Sequence, residues 1–345
     1  MKVNELNKYI NLLVANISLK TDYNNLCKGT KRLLIVEGST DKEFIEKILC
    51  DDIVCMIANK AFENKKGFSP QETINCKNAI MEVVNGMSKV PITFLKLPKH
   101  FEKYFENFKI FGMIDLDYDN SEGECLSSRL FVTDTHDLET LLISTDNNIL
   151  QNLNGCFIST EDSNKAFYLS YQLGFLRKFI KKVINRNKIE FDLQPIAGTG
   201  KDIDYSYFLE EWQINLNKLI NYINKKNDTC LSTKKENEII KKVLSEKEVN
   251  KKLDKNGNWN STLEEFKPLN FEDFWTIVNG HDILSILKFI NNNAKEKYNN
   301  KNSYSLNRDL NRDFEMDLID SYEYTNIKKT EIYKNMRKEN VVKSV

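Results

Sequence analysis

The chain has 345 residues, 41% of them hydrophobic, and its 50 Lys plus Arg are balanced by 50 Asp plus Glu. That length buries a full core and leaves room for two domains, while zero net charge excludes a molecule-wide field for a polyanion or a membrane, so any nucleic-acid surface must be a local patch. The seven cysteines include no CxxC pair and no apolar run reaches bilayer length, which speaks for a reduced, cytoplasmic compartment and against a disulfide framework, a zinc site or a membrane span.

In chain order, residues 5–19 read as a helix broken by "CKGTKR". Leu33–Val36 is a strand of buried type, followed at once by Glu37, Gly38 and a helix with Phe44, Ile45, Ile48 and Leu49 on one face; this is the opening of a βαβ unit. Next come a strand at Ile53–Ala58, a helix from about Pro70 to Met87, and strands at Lys109–Asp117 and Arg129–Asp134. Strands alternating with helices predict an α/β fold with a small parallel sheet flanked by helices. Beyond residue 150 or so, amphipathic stretches at Glu161–Asn187, Tyr205–Lys226, Glu236–Lys252, Phe271–Asn293 and Leu306–Glu339 predict a mostly helical domain over 151–345, after the α/β domain of 1–150.

Residues just past the C-terminal ends of neighbouring parallel strands converge on one edge, where such folds place their ligands. Glu37 ends the first strand and Asp115 with Asp117 ends the strand "FGMIDLD". A strand running through both aspartates would point their side chains the same way. Three carboxylates in one region repel, and a hard divalent cation with oxygen ligands relieves the repulsion; with no His or Cys paired to them, Mg²⁺ or Mn²⁺ suits better than zinc. Each motif alone is ordinary turn chemistry, and the order in which they occur is what carries information.

"IVEGSTD", followed about eighty residues later by "MIDLDYD", resembles the Toprim domain, the metal-binding α/β module of topoisomerases, bacterial primases and the overcoming-lysogenization-defect nucleases. "DTHDLETLLI" is similar to the His-Asp-Ile-Glu-Asn segment of a Toprim-like family that includes the effector nuclease of the PARIS anti-phage system, with Thr140 in place of the family's Asn. "VNGHDILSILKFI" looks like that family's Gly-His-Asp segment. The resemblance implies a Toprim-like domain with Glu37, Asp115 and Asp117 as metal and catalytic residues, Glu139 as a further carboxylate, and Mg²⁺ (or Mn²⁺) as cofactor. It implies an anti-phage effector held inactive by a separate ABC-type ATPase partner, cleaving RNA such as tRNA, and a homodimer when active. The alternatives are a DNA nuclease of the overcoming-lysogenization-defect type and a non-catalytic Toprim-like module regulating an ATPase. A degenerate module loses one of the three carboxylates, and all three are present.

Asp41 and Lys42 are candidates to support the site, Asp41 matching the trailing Asp of the family's Glu-Gly-x-x-Asp motif or serving as a helix N-cap. His136 lies three residues before Glu139 and would share its face on a helix, the bland alternative being a capping or core histidine. Lys178, Lys181, Lys182 and Arg186 have helical spacing and offer a phosphate-contacting stripe, or a solvated face opposite the apolar Tyr168, Tyr171, Phe175 and Phe179. "AGTGKDI" lacks the P-loop glycine, having Pro195 there, and carries Asp202 where the loop needs Ser or Thr; a turn is expected. Phe274, Trp275, Val278, Ile283, Leu284, Ile286 and Leu287 read as core, with His281 in a turn between two helical pieces.

Overall fold

The structure, a computed structural model, describes residues 10, 12–13, 32–58, 77–84, 109–116, 128–146, 148–151, 153, 158–196, 203–227, 231–266, 274–299 and 314–344. Asp117, the "GTGK" loop and nearly all of the helix expected at 5–19 lie outside them. The chain divides into two units, one of Met1–Leu138 with Glu323–Val345 and the other of Glu139–Tyr322. The division therefore falls before the boundary near residue 150 that the sequence suggests, and the last segment belongs with the α/β unit.

In the first unit, β1 (Arg32–Val36) reads RLLIV and buries its last four residues, the continuous apolar run of a strand covered on both faces. Glu37 and Gly38 lead into α1 (Ser39–Glu46). The next strand, β2 (Ile53–Ile57), pairs parallel with β1 from Arg32 opposite Ile53 to Val36 opposite Ile57. Residues 77–84 form α2, whose Ala79, Ile80, Val83 and Val84 pack on Leu33, Ile35, Met56, Ile110 and Ile114. The chain then crosses to the other side of β1 as β3 (Lys109–Ile114) and adds β4 (Leu130–Val132), both parallel.

The strand order β2-β1-β3-β4 sends the connections after β1 and β3 in opposite lateral directions. A parallel sheet opens a crevice at such a switch point, beyond the carboxyl ends of the two central strands. Both strand and sheet expectations hold, with one correction that matters. Because β3 stops at Ile114, the two-residue alternation does not reach Asp115.

The second unit is mainly helical. After α3 (Leu138–Thr145) comes the long α4 (Thr160–Asn187), capped by Ser159, whose hydroxyl accepts from the Asp162 N–H at 3.0 Å, and closed by Lys188 in the left-handed region. Tyr168, Tyr171, Phe175 and Phe179 form its buried aromatic face. The stretch Tyr205–Lys226 is not one helix. Leu209–Glu210 (β5) and Gln213–Ile214 (β6) make a two-residue hairpin, with Glu211 and Trp212 at φ 47° and 64° as a type I′ turn demands, before α5 (Leu216–Lys226) and α6 (Thr233–Leu244). The last two helices are α7 (Gly280–Asn299) and α8 (Phe314–Ser321). No helix among the described residues is long and apolar enough to cross a membrane.

The last helix among the described residues is α9 (Glu331–Lys338). Asp134, just past β4, accepts from the first two amides of α9, Glu331 at 2.6 Å and Ile332 at 2.8 Å. A carboxylate there satisfies orphan donors and meets the positive end of the helix. Arg32 donates to the carbonyls of Glu339 and Asn340 at 2.9 and 2.6 Å, and Leu49 bridges Val342. These bonds explain why a segment distant in sequence belongs to the α/β unit.

Gly112 is required by packing: a Cβ there would lie 2.8 Å from Ile80 Cγ2 and 3.0 Å from Leu130 Cδ1 and Val84 Cγ2. Gly112→Ala is expected to lower stability by about 1–3 kcal/mol through overpacking, and Asp134→Ala by about 0.5–2 kcal/mol through loss of the cap. Urea unfolding midpoints check both, and a wild-type midpoint for Gly112→Ala would contradict the close approach of α2 to β3.

Candidate functional site

The first constellation lies at the switch point. Glu37, one residue past β1, accepts the backbone N–H of Asp115, one residue past β3, on Oε1 at 2.9 Å. Thr133, just past β4, accepts the next amide, Leu116, at 2.9 Å, and donates its hydroxyl to the Thr135 carbonyl at 2.8 Å. The Lys77 ammonium, on α2, donates to the carbonyl of Asp115. Three side chains from three segments therefore fix the backbone on which Asp115 sits. A hydrogen bond to a charged acceptor contributes about 1.5–3 kcal/mol, enough to hold a two-residue segment against its entropy. Glu37 and Asp115 are half-buried while Lys77 is buried, so the crevice carries negative charge with a cation in its wall.

Lys77 is a residue that the motif reading missed. Its signal was a lysine at the position three before Ile80 and seven before Val84, on the apolar stripe of its helix. Asp41 is not the N-cap: α1 begins at Ser39, and from its third position Asp41 Oδ2 accepts the Gly38 N–H at 2.7 Å. Lys42 pairs with Glu46 one turn on, at 3.3 Å.

A second constellation occupies the helical unit. Glu139, His281 and Glu315 are each the second residue of a helix, α3, α7 and α8 respectively. His281 Nδ1 lies 2.7 Å from Glu315 Oε1, and its Nε2 lies 3.9 Å from Glu139 Oε2. Glu139 is 5% exposed at the side chain, whereas His281 and Glu315 are 32% and 35% exposed. Hence Glu139 stands with His281 and Glu315, two residues to which the sequence reading gave no role, and His281 is in the first turn of α7 rather than in an interhelical turn. The same chain position fixes the helix: Asp282, fully buried, takes a bidentate pair from Arg177 of α4 at 2.9 and 3.0 Å. Tyr205 is buried nearby, and burial first, with Asp282 adding, raises its phenol well above the ordinary range.

His136 is outside α3, which starts at Leu138, so the shared helix face with Glu139 does not exist. It is 2% exposed with Nδ1 3.1 Å from Asp137 Oδ2, a buried histidine ahead of a helix. On α4, Lys182 and Arg186 both bind Glu246, at 2.7 and 2.8 Å, and the Lys182 ammonium is the leading cause that holds the Glu246 carboxyl below its usual range. Lys178 is exposed and Lys181 half-buried. Exposed ion pairs contribute at most about 1 kcal/mol, so this pairing does not prevent the stripe from exchanging Glu246 for a phosphate. No family model matches the chain, and neither a curated protein nor a solved structure matches it.

Arg177→Met leaves Asp282 charged and buried without its partner, so it is expected to destabilise by about 3–5 kcal/mol, whereas Arg177→Met combined with Asp282→Leu should recover most of that loss. Chemical denaturation of the three proteins reads this directly. An Arg177→Met protein within about 1 kcal/mol of wild type would mean the pair does not anchor α7.

Proposed function

We propose that the chain is a divalent-metal-dependent phosphodiesterase acting on nucleic acid, with Glu37 and Asp115 at its centre. The observation that carries the reading is the clamped carboxylate pair at the switch-point crevice, where Glu37 and Asp115 follow the two central strands. The likeness of "IVEGSTD", "MIDLDYD" and "HDLET" to Toprim nucleases supports the same reading and makes RNA, tRNA first, the preferred substrate and an ABC-type ATPase the preferred partner.

The donor set fits a hard divalent ion, since Glu37 and Asp115 offer carboxylate oxygens at an accessible edge. Such an ion would supply a more acidic bound water and neutralise charge on the phosphate. Glu37 and Asp115 hold the negative charge that attracts it. In hydrolysis the water oxygen forms a bond to phosphorus while the bond to one ester oxygen breaks. The water's proton passes to a carboxylate at this edge or to solvent, and the departing oxygen takes up a proton. The Lys77 ammonium, held at the Asp115 carbonyl, is a fixed positive group beside the place where phosphate charge grows.

Glu37→Gln keeps an oxygen that accepts the Asp115 amide but removes the charge, so it separates the clamp from the chemistry. The wild-type chain expressed without its partner is expected to arrest growth, and the purified chain to cut RNA with Mg²⁺ and not with EDTA. Glu37→Gln and Asp115→Ala should be folded, harmless and at least 100-fold less active, and Lys201→Ala should remain toxic. Toxicity and cleavage unchanged in both carboxylate variants would overturn the reading.

A further inference from the structure

We infer that Glu139 and His281 ligate a divalent first-row transition ion, Mn²⁺ or Zn²⁺, in the helical unit, with Glu315 orienting the imidazole. The inference does not rest on the nuclease reading. It starts from the imidazole: Glu315 at 2.7 Å from Nδ1 holds the proton on that nitrogen and leaves the Nε2 lone pair facing Glu139, the arrangement in which a carboxylate orients a ligating histidine. The 3.9 Å from Nε2 to Glu139 Oε2 is beyond hydrogen-bond length, yet within the roughly 4.2 Å maximum separating two ligands that each sit about 2.1 Å from one ion. One ligand atom from each of the three residues lies within 4.8 Å of the others.

Burial argues in the same direction. Glu139 carries its carboxylate at 5% exposure, where a nearby cation is screened little by solvent, and the more exposed His281 and Glu315 leave one side open for water or a further ligand. Nitrogen among the donors distinguishes this group from the oxygen donors of Glu37 and Asp115: imidazole favours Zn²⁺ and its neighbours, and carboxylates also suit Mn²⁺, whereas Mg²⁺ rarely takes nitrogen. The ion would tie the first turns of α3 and α7 together, with Glu315 of α8 joined to them through the imidazole.

The test uses the full-length chain titrated with MnCl₂ and followed by pulsed electron paramagnetic resonance, which reports nitrogen bound to manganese. The expected result is one Mn²⁺ with a ¹⁴N coupling, displaced by equimolar Zn²⁺ and not by Mg²⁺. His281→Gln should lose the coupling and weaken that ion at least tenfold, while Glu37→Ala, which leaves these residues intact, keeps both. Glu139→Gln should weaken binding tenfold or more with its circular dichroism unchanged, a second variant that does not depend on replacing the ring. No ¹⁴N coupling in the wild type, a coupling that survives His281→Gln, or displacement by Mg²⁺ as effective as by Zn²⁺ would overturn the inference. Loss of RNA cleavage in Glu37→Gln with the coupling retained would separate the two centres.

Discussion

The structure of the α/β unit turns on the peptide of Asp115. Its N–H is taken by Glu37 at 2.9 Å, its carbonyl by Lys77, and the next N–H by Thr133 at 2.9 Å. Buried or half-buried backbone groups at the end of a strand need partners, and here they come from the tip of β1, from α2 and from the end of β4. The same bonds that finish the sheet also bring Glu37, Asp115 and the Lys77 ammonium together beyond the ends of β1 and β3. Closing the fold and assembling a charged site are one act, because the strand order places a crevice at that point.

A parallel logic runs through the helical unit. Arg177 and Asp282 cannot be left unpaired once buried, so the start of α7 is held against α4, with the Asn279 side chain accepting the Asp282 amide at 3.3 Å. His281, one residue earlier, is thereby presented toward Glu139 and Glu315. In both units a buried polar contact that serves stability sets the position of a neighbouring side chain of a candidate site.

The parts legible in the sequence were those where composition leaves little choice. The run LLIV before Glu-Gly, and KIFGMI before Asp, are buried parallel strands because no solvated face interrupts them, and the aromatic stripe of α4 has one period only. What was not legible required long-range partners. The hairpin at Leu209–Ile214 hides because Glu211 and Trp212 take positive φ without the Asn or Gly that announces such a turn. The end of β3 at Ile114 depends on Glu37 and Thr133, far away in sequence, and the affiliation of α9 depends on Asp134 and Arg32. His281 and Glu315 become a pair only when α7 and α8 pack.

The central claim is that Glu37 and Asp115 form a cation-binding edge of a phosphodiesterase. The most direct measurement is anomalous diffraction at the manganese edge from crystals of the full chain soaked in MnCl₂. The account predicts a peak within about 2.5 Å of a carboxylate oxygen of Glu37 or Asp115, absent from Glu37→Gln crystals of the same form. A map with no peak at that edge, at Mn²⁺ concentrations that support RNA cleavage, would contradict it.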